Sequence, residues 1–155
     1  INTSTGDHLG LSEVQFFGDP LPEPEMYRIT PAGATASTQY SGREAFKATN
    51  GAGLTADSDG DGVDEHDISP GNMWLSNVGD VPPWIRFDLG SDKPLGSMRV
   101  WNYNELNGLS RRGIKTADIQ YAVDGQVGDL DDPDDPGWTL LAADVPFTRA
   151  DELVG

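Results

Sequence analysis

The chain has 155 residues, with 26 Asp and Glu against 10 Lys and Arg, a formal charge of −16, and no cysteine. This acidity argues against nucleic acid or an anionic membrane as a partner, because both bind through a basic face, and it favours cations, above all hard ones that take oxygen ligands. The absence of thiols excludes a disulfide framework, thiol catalysis and cysteine-type structural zinc, and no apolar run approaches the length of a membrane span.

A chain of this length suggests one domain with a sizeable core, and its 19 Gly and 11 Pro fit short strands joined by many loops. Asn2-Thr3-Ser4 forms a glycosylation sequon, a pattern short enough to arise by chance. Residues 9–17 (LGLSEVQFF) then read as a strand, with Val14 and Phe16 on one face and Glu13, Gln15 and Phe17 on the other. Asp19-Pro20-Leu21-Pro22-Glu23-Pro24 follows, and its alternating prolines predict an extended linker that cannot join a ladder. Residues 26–38 read as strand with turn. Residues 42–49 (GREAFKAT) predict one short helical turn, ended by Asn50-Gly51.

The strongest chemical motif is the acidic stretch 57–67. Asp57, Asp59 and Asp61 occupy positions one, three and five of an EF-hand-type loop, with Gly62 at six for the sharp turn and the Val63 carbonyl at seven. The pattern then departs from that loop, since position twelve is Ile68 where a bidentate Glu belongs. Asp64 or Asp67 could close the shell instead. The other reading is an acidic surface loop with no metal, although Asp57, Asp59, Asp61, Asp64, Glu65 and Asp67 would then repel one another without a counter-ion. Calcium prefers oxygen, so His66 reads as a loop histidine and not a ligand.

Residues 82–125 predict three strands with clear punctuation. Ile85, Phe87 and Leu89 alternate with Trp84, Arg86 and Asp88; Met98, Val100 and Asn102 alternate with Arg99, Trp101 and Tyr103; Ile119, Tyr121 and Val123 end on the tight-turn pair Asp124-Gly125. A second acidic run, residues 129–136, carries prolines among like charges and reads as a solvated loop. Strand signal returns at residues 138–141 and 144–147.

In order and spacing, W-I-x-F-D-L-G, V-x-N-Y-N, R-G-I-K and I-x-Y-A-V-D-G followed by W-T-L-L resemble the discoidin domain, also called the coagulation-factor C-type domain, over residues 45–141. The resemblance implies an all-β fold, an eight-stranded antiparallel jelly-roll β-sandwich of the galactose-binding-domain-like kind, with binding loops at one end. It does not by itself name a ligand. In that family a G-L-S-E-V-x-F-F-G segment is the last strand; here it stands first, and about two further strands would be expected after residue 147. The chain thus divides into a last-strand-like segment (residues 1–18), a linker (19–25) and a discoidin-like body (26–155). Circular permutation, excision from a tandem array, and donation of the first strand to a neighbouring copy all remain open.

The resemblance further implies a second calcium position, with Asn50 and Glu13 as side-chain ligands clamping the first strand to the body. An outward-facing strand carboxylate is the alternative for Glu13. It also implies that Arg112 pairs internally while Arg111 is freer. For ligand contact, Tyr103, Asn104, Glu105 and Arg111 suit hydroxyl recognition through an aromatic face, an amide, a carboxylate and a guanidinium. Trp74, Trp84, Trp101 and Trp138 read as packing residues. There is no nucleophile elbow, phosphate loop or metalloprotease helix. The expectation is a non-catalytic, calcium-stabilised extracellular module for glycan binding or adhesion, with a glycan or an extracellular protein as partner. The alternative is a structural repeat of an extracellular filament or array, linked to copies of itself by strand donation and calcium.

Overall fold

The computed structural model describes residues 8–18, 27–79 and 82–150. The predicted linker at 19–25 and the sequon at Asn2 lie outside the described residues. Among the described residues the fold is mostly strand, with three short 3₁₀ turns and several antiparallel sheets.

Strand β1 (Gly10–Gly18) is the centre of the largest sheet. One edge pairs with β8 (Leu95–Asn102), in the register Leu11↔Asn102, Val14↔Val100 and Phe17↔Ser97. The other edge pairs with β6 (Trp74–Leu75) through Leu11↔Trp74 and with β2 (Tyr27–Ile29) through Phe16↔Ile29. The first strand therefore lies in its own chain's sheet, with neighbours on both sides.

The alternation read in residues 9–17 predicts one buried and one solvent-facing side. The structure differs: every residue from Gly10 to Phe16 is buried. Val14 and Phe16 enter the main core with Leu9, Leu11, Ile29, Trp74 and Ile114. On the opposite side, Glu13 is covered by the segment that follows Asn50. Gly53 approaches the Ser12 carbonyl so closely that a Cβ there would sit 2.6 Å from its oxygen, and the Trp101 indole N–H donates to the Asp64 carbonyl at 2.8 Å. A polar side chain on that side is thus enclosed by a loop, so period-two patterning overstates its exposure.

Strands β3 (Gly33–Ala36) and β7 (Ile85–Asp88) form a two-stranded sheet in the register Ala34↔Phe87. Phe87 meets Phe16 edge to face, ring centroids 5.3 Å apart, which joins this pair to the core side of β1. The predicted turn after Gly42 is the 3₁₀ segment Ala45–Ala48, whose two alanines are buried in the same core. β9 (Thr116–Tyr121) and β10 (Thr139–Pro146) form a separate ribbon, and the acidic run between them folds into exposed Asx turns, Asp129 accepting from Asp131 N–H and Asp132 from Asp134 N–H. β4 (Leu54–Thr55) and β5 (Glu65–His66) make a short hairpin whose connection is the acidic loop, residues 56–64.

Candidate metal centre

Asp57, Asp59 and Asp61 are brought together at the tip of the β4–β5 hairpin. Their carboxylate oxygens lie within 4.8 Å of one another and face solvent, and the group could hold a metal ion. The local sequence explains the shape. Gly60 and Gly62 both adopt φ 82°, the left-handed region that other residues enter only under strain. This turns their amides inward: Asp57 accepts from Gly60 N–H at 2.7 Å and from Gly62 N–H at 2.8 Å. Asp59 accepts from Asp61 N–H at 3.0 Å, and Asp61 from Val63 N–H at 2.7 Å. The Gly60 and Gly62 amides, in that order, hold the Asp57 carboxyl below its usual range, so it stays ionised. Behind the loop, Glu65 accepts from both Ser58 N–H and its hydroxyl.

The remaining candidates divide. Asp67 does not join the triad. It caps the next turn, accepting from Ile68 N–H at 2.7 Å, Ser69 N–H at 3.0 Å and the Asn72 amide at 2.6 Å. Some desolvation opposes these bonds, of which the Asn72 bond weighs most; together they keep its carboxyl low. Val63 uses its N–H on Asp61. Asp64 lends its carbonyl to Trp101, and its charge acts on Glu13.

Glu13 is the second focus. Its side chain has no solvent exposure, which removes the outward-facing alternative. Oε2 accepts from Gly51 N–H at 3.0 Å, and Oε1 lies 3.3 Å from the Arg28 guanidinium, itself 45% exposed. Burial pushes the carboxyl up to about 7, against the Gly51 hydrogen bond and the Arg28 charge, with Asp64 adding to the upward push. Asn50, beside Gly51, accepts from Ala52 N–H at 2.9 Å and shapes the turn that delivers the Gly51 amide. Among the buried polar atoms, Thr55 Oγ1 on β4 has no hydrogen-bond partner.

The proposed ligand-contact residues fare differently. Tyr103 and Asn104 are fully buried, so neither presents a face to a ligand. Asn104 N–H donates to the buried Met73 sulfur, and at the Tyr103 hydroxyl a charge cluster closes the space. Glu105 Oε2 accepts from the Tyr103 hydroxyl at 2.6 Å, from Arg112 at 3.0 Å and from Arg43 at 3.2 Å, and Arg43 also contacts the Tyr103 hydroxyl. Burial and the bond to Glu105 push the Tyr103 phenol up, keeping it a donor. These bonds tie the loop to the turn that carries Arg43. Arg111 alone of the four is exposed, donating to the Gly108 carbonyl at 2.7 Å. Arg28 and Arg43 were not singled out by sequence reasoning. Their partners lie 15 and 62 residues away, and no local spacing signals such pairs.

Comparison with known proteins finds no matching family model, no matching curated protein and no matching solved structure.

Proposed function

We propose that the chain is a non-catalytic β-module, stabilised by calcium, that serves glycan binding or adhesion outside the cell as part of a larger protein. The observation that carries the calcium reading is Glu13, a carboxylate enclosed on the central strand and pushed up to about 7 by burial. A buried carboxylate needs a counter-charge, and Arg28, half in solvent, supplies only part of one. A hard cation beside Glu13, Asn50 and Asp64 would complete it with oxygen ligands and tie β1 to the hairpin. The Asp57, Asp59 and Asp61 group offers a second position with the ligand spacing of a calcium loop.

Contact between Phe16 and Phe87 across two antiparallel sheets supports a sandwich, and the jelly-roll arrangement is the one the motif order favours. The reading of β1 as a strand lent to a neighbour draws no support from its central place in its own sheet. Calorimetric melting in chelator and in excess calcium is the direct test. A rise in Tm with calcium that magnesium does not reproduce is expected, and identical melts in chelator and calcium would remove both positions. A glycan array then tests the binding role, with no retained glycan arguing for adhesion through protein.

A further inference from the structure

We infer that the cleft between the 3₁₀ turn Leu109–Arg112 and residues 147–149 is a subsite for the carboxylate of an acidic sugar residue. The inference rests on the glycan-binding reading and specifies its ligand class. The cleft has a volume of about 190 Å³. Arg111, Lys115 and Arg149 line it, three of only ten basic side chains in a chain with 26 acids. Among the described residues, no carboxylate lies within ion-pair distance of Arg111 or Lys115, whereas Arg28, Arg43, Lys47, Arg86 and Arg112 all have one. Arg149 is oriented by its Nε, which donates to the buried Ser110 hydroxyl at 2.7 Å.

The base of the cleft is cross-linked by hydrogen bonds. Asn102, buried at the end of β8, accepts from Tyr103 N–H at 2.9 Å and from Ile114 N–H at 2.7 Å. Its amide donates to the carbonyls of Ile114 at 2.7 Å and Thr148 at 2.9 Å. One side chain thus pins together the two segments that carry the cations, residues 109–115 and 147–149. Such preorganisation lowers the entropy lost when a ligand is held.

Ligand class follows from charge, size and lining. Guanidinium and ammonium groups lining one cleft favour an oxyanion. The volume falls below the roughly 300 Å³ at which drug-sized sites begin, so it suits one ring. Phe147, half-buried at the edge of the core, provides an apolar wall for the C–H face of a pyranose. A net charge of −16 repels a polyanion at long range, so an isolated acid group in an otherwise neutral glycan fits better than a uniformly charged one.

The test is an amide chemical-shift titration of the whole chain with saturating calcium, using methyl β-glucuronide, methyl β-glucoside and acetate as probes. Saturable shifts centred on Arg111, Lys115 and Phe147 are expected with the glucuronide, much smaller ones with acetate, and none there with the glucoside. Arg111→Gln and Lys115→Gln, both at exposed positions, should each weaken glucuronide binding about tenfold, the effect of losing one charge-assisted hydrogen bond, with unchanged circular dichroism. Equal binding of glucoside or acetate, or affinity untouched by both variants, overturns the subsite. Neutral glycans that bind while these three amides stay still overturn the subsite and leave the glycan-binding reading standing. Failure of every sugar, charged or neutral, overturns both.

Discussion

Glu13 Oε2 lies 3.0 Å from the backbone nitrogen of Gly51, so the middle of the central strand is joined to the loop that leads into the acidic hairpin. The contact places a carboxylate with no solvent exposure between a half-exposed guanidinium and a backbone amide. Burial raises its proton affinity, against the pull of both of these partners.

Titration of Glu13 should make stability depend on pH in a direction opposite to that of a salt-bridged acid. Its ordinary value is 4.5 and its folded value is about 7. Between the two, the folded chain holds a proton that the unfolded chain has released, so this group's contribution falls as pH rises through that window and levels off above it. Calcium would take the ionised form. The gain in Tm from calcium should therefore be largest above pH 7 and shrink toward pH 5. Glu13→Gln should match or exceed the parent in chelator at pH 8, yet lose most of the calcium gain. Paired melting curves in chelator and calcium at several pH values read this, and a variant that keeps the full calcium gain would separate Glu13 from the ion.

The hairpin tip behaves as an independent part. Asp59 and Asp61 face solvent and accept from the loop's own amides, so Asp59→Asn with Asp61→Asn should leave the fold intact in chelator. A site saturated a hundredfold contributes about 2.7 kcal/mol, or roughly 5 to 10 °C for a chain of this size, and the double variant should lose that portion of the calcium response. Calcium calorimetry should show one binding step removed; two unchanged steps would clear the loop of any role.

Glu105 gathers three donors on one oxygen, from Tyr103, Arg112 and Arg43. Glu105→Gln should cost about 2 kcal/mol, because two guanidinium groups lose their counter-charge in a partly buried setting, while Tyr103→Phe removes a single bond and should cost about 1 kcal/mol. Urea unfolding with an unchanged slope would measure both. If the two substitutions prove equally mild, the cluster is not what holds the loop.

Asn102 uses both side-chain ends in four bonds inside the core edge. Asn102→Ala leaves buried backbone groups of three segments without partners and should cost about 3 kcal/mol. Gly113→Ala attacks the same junction from the other side, since its Cβ would stand 2.5 Å from Asn102 Oδ1. Hydrogen exchange should show residues 113–116 losing protection in both, with β1 far less affected.

Much of the strand content is legible in the chain itself. Alternation marks residues 85–88, 98–102 and 119–121 as strand, and Gly42 with Asn50-Gly51 brackets the short turn at Ala45–Ala48. The close spacing of Asp57, Asp59 and Asp61 around Gly60 and Gly62 is likewise enough to bring three carboxylates together, because that geometry is local to seven residues.

What only the tertiary structure decides is who covers whom. Alternation assigns Glu13 to a face but cannot say that a hairpin 40 residues on closes over that face, which is what buries the carboxylate and raises its proton affinity. Tyr103 and Asn104 carry the chemistry of ligand contact, yet both are buried, and Arg43 reaches the Tyr103 hydroxyl from a distant turn. Arg111, Lys115 and Arg149 look like scattered surface charges until Asn102 draws their segments to one cleft. Residue type and local spacing set what a side chain is able to do; burial and long-range partners, contributed by segments far along the chain, set whether it is free to do it.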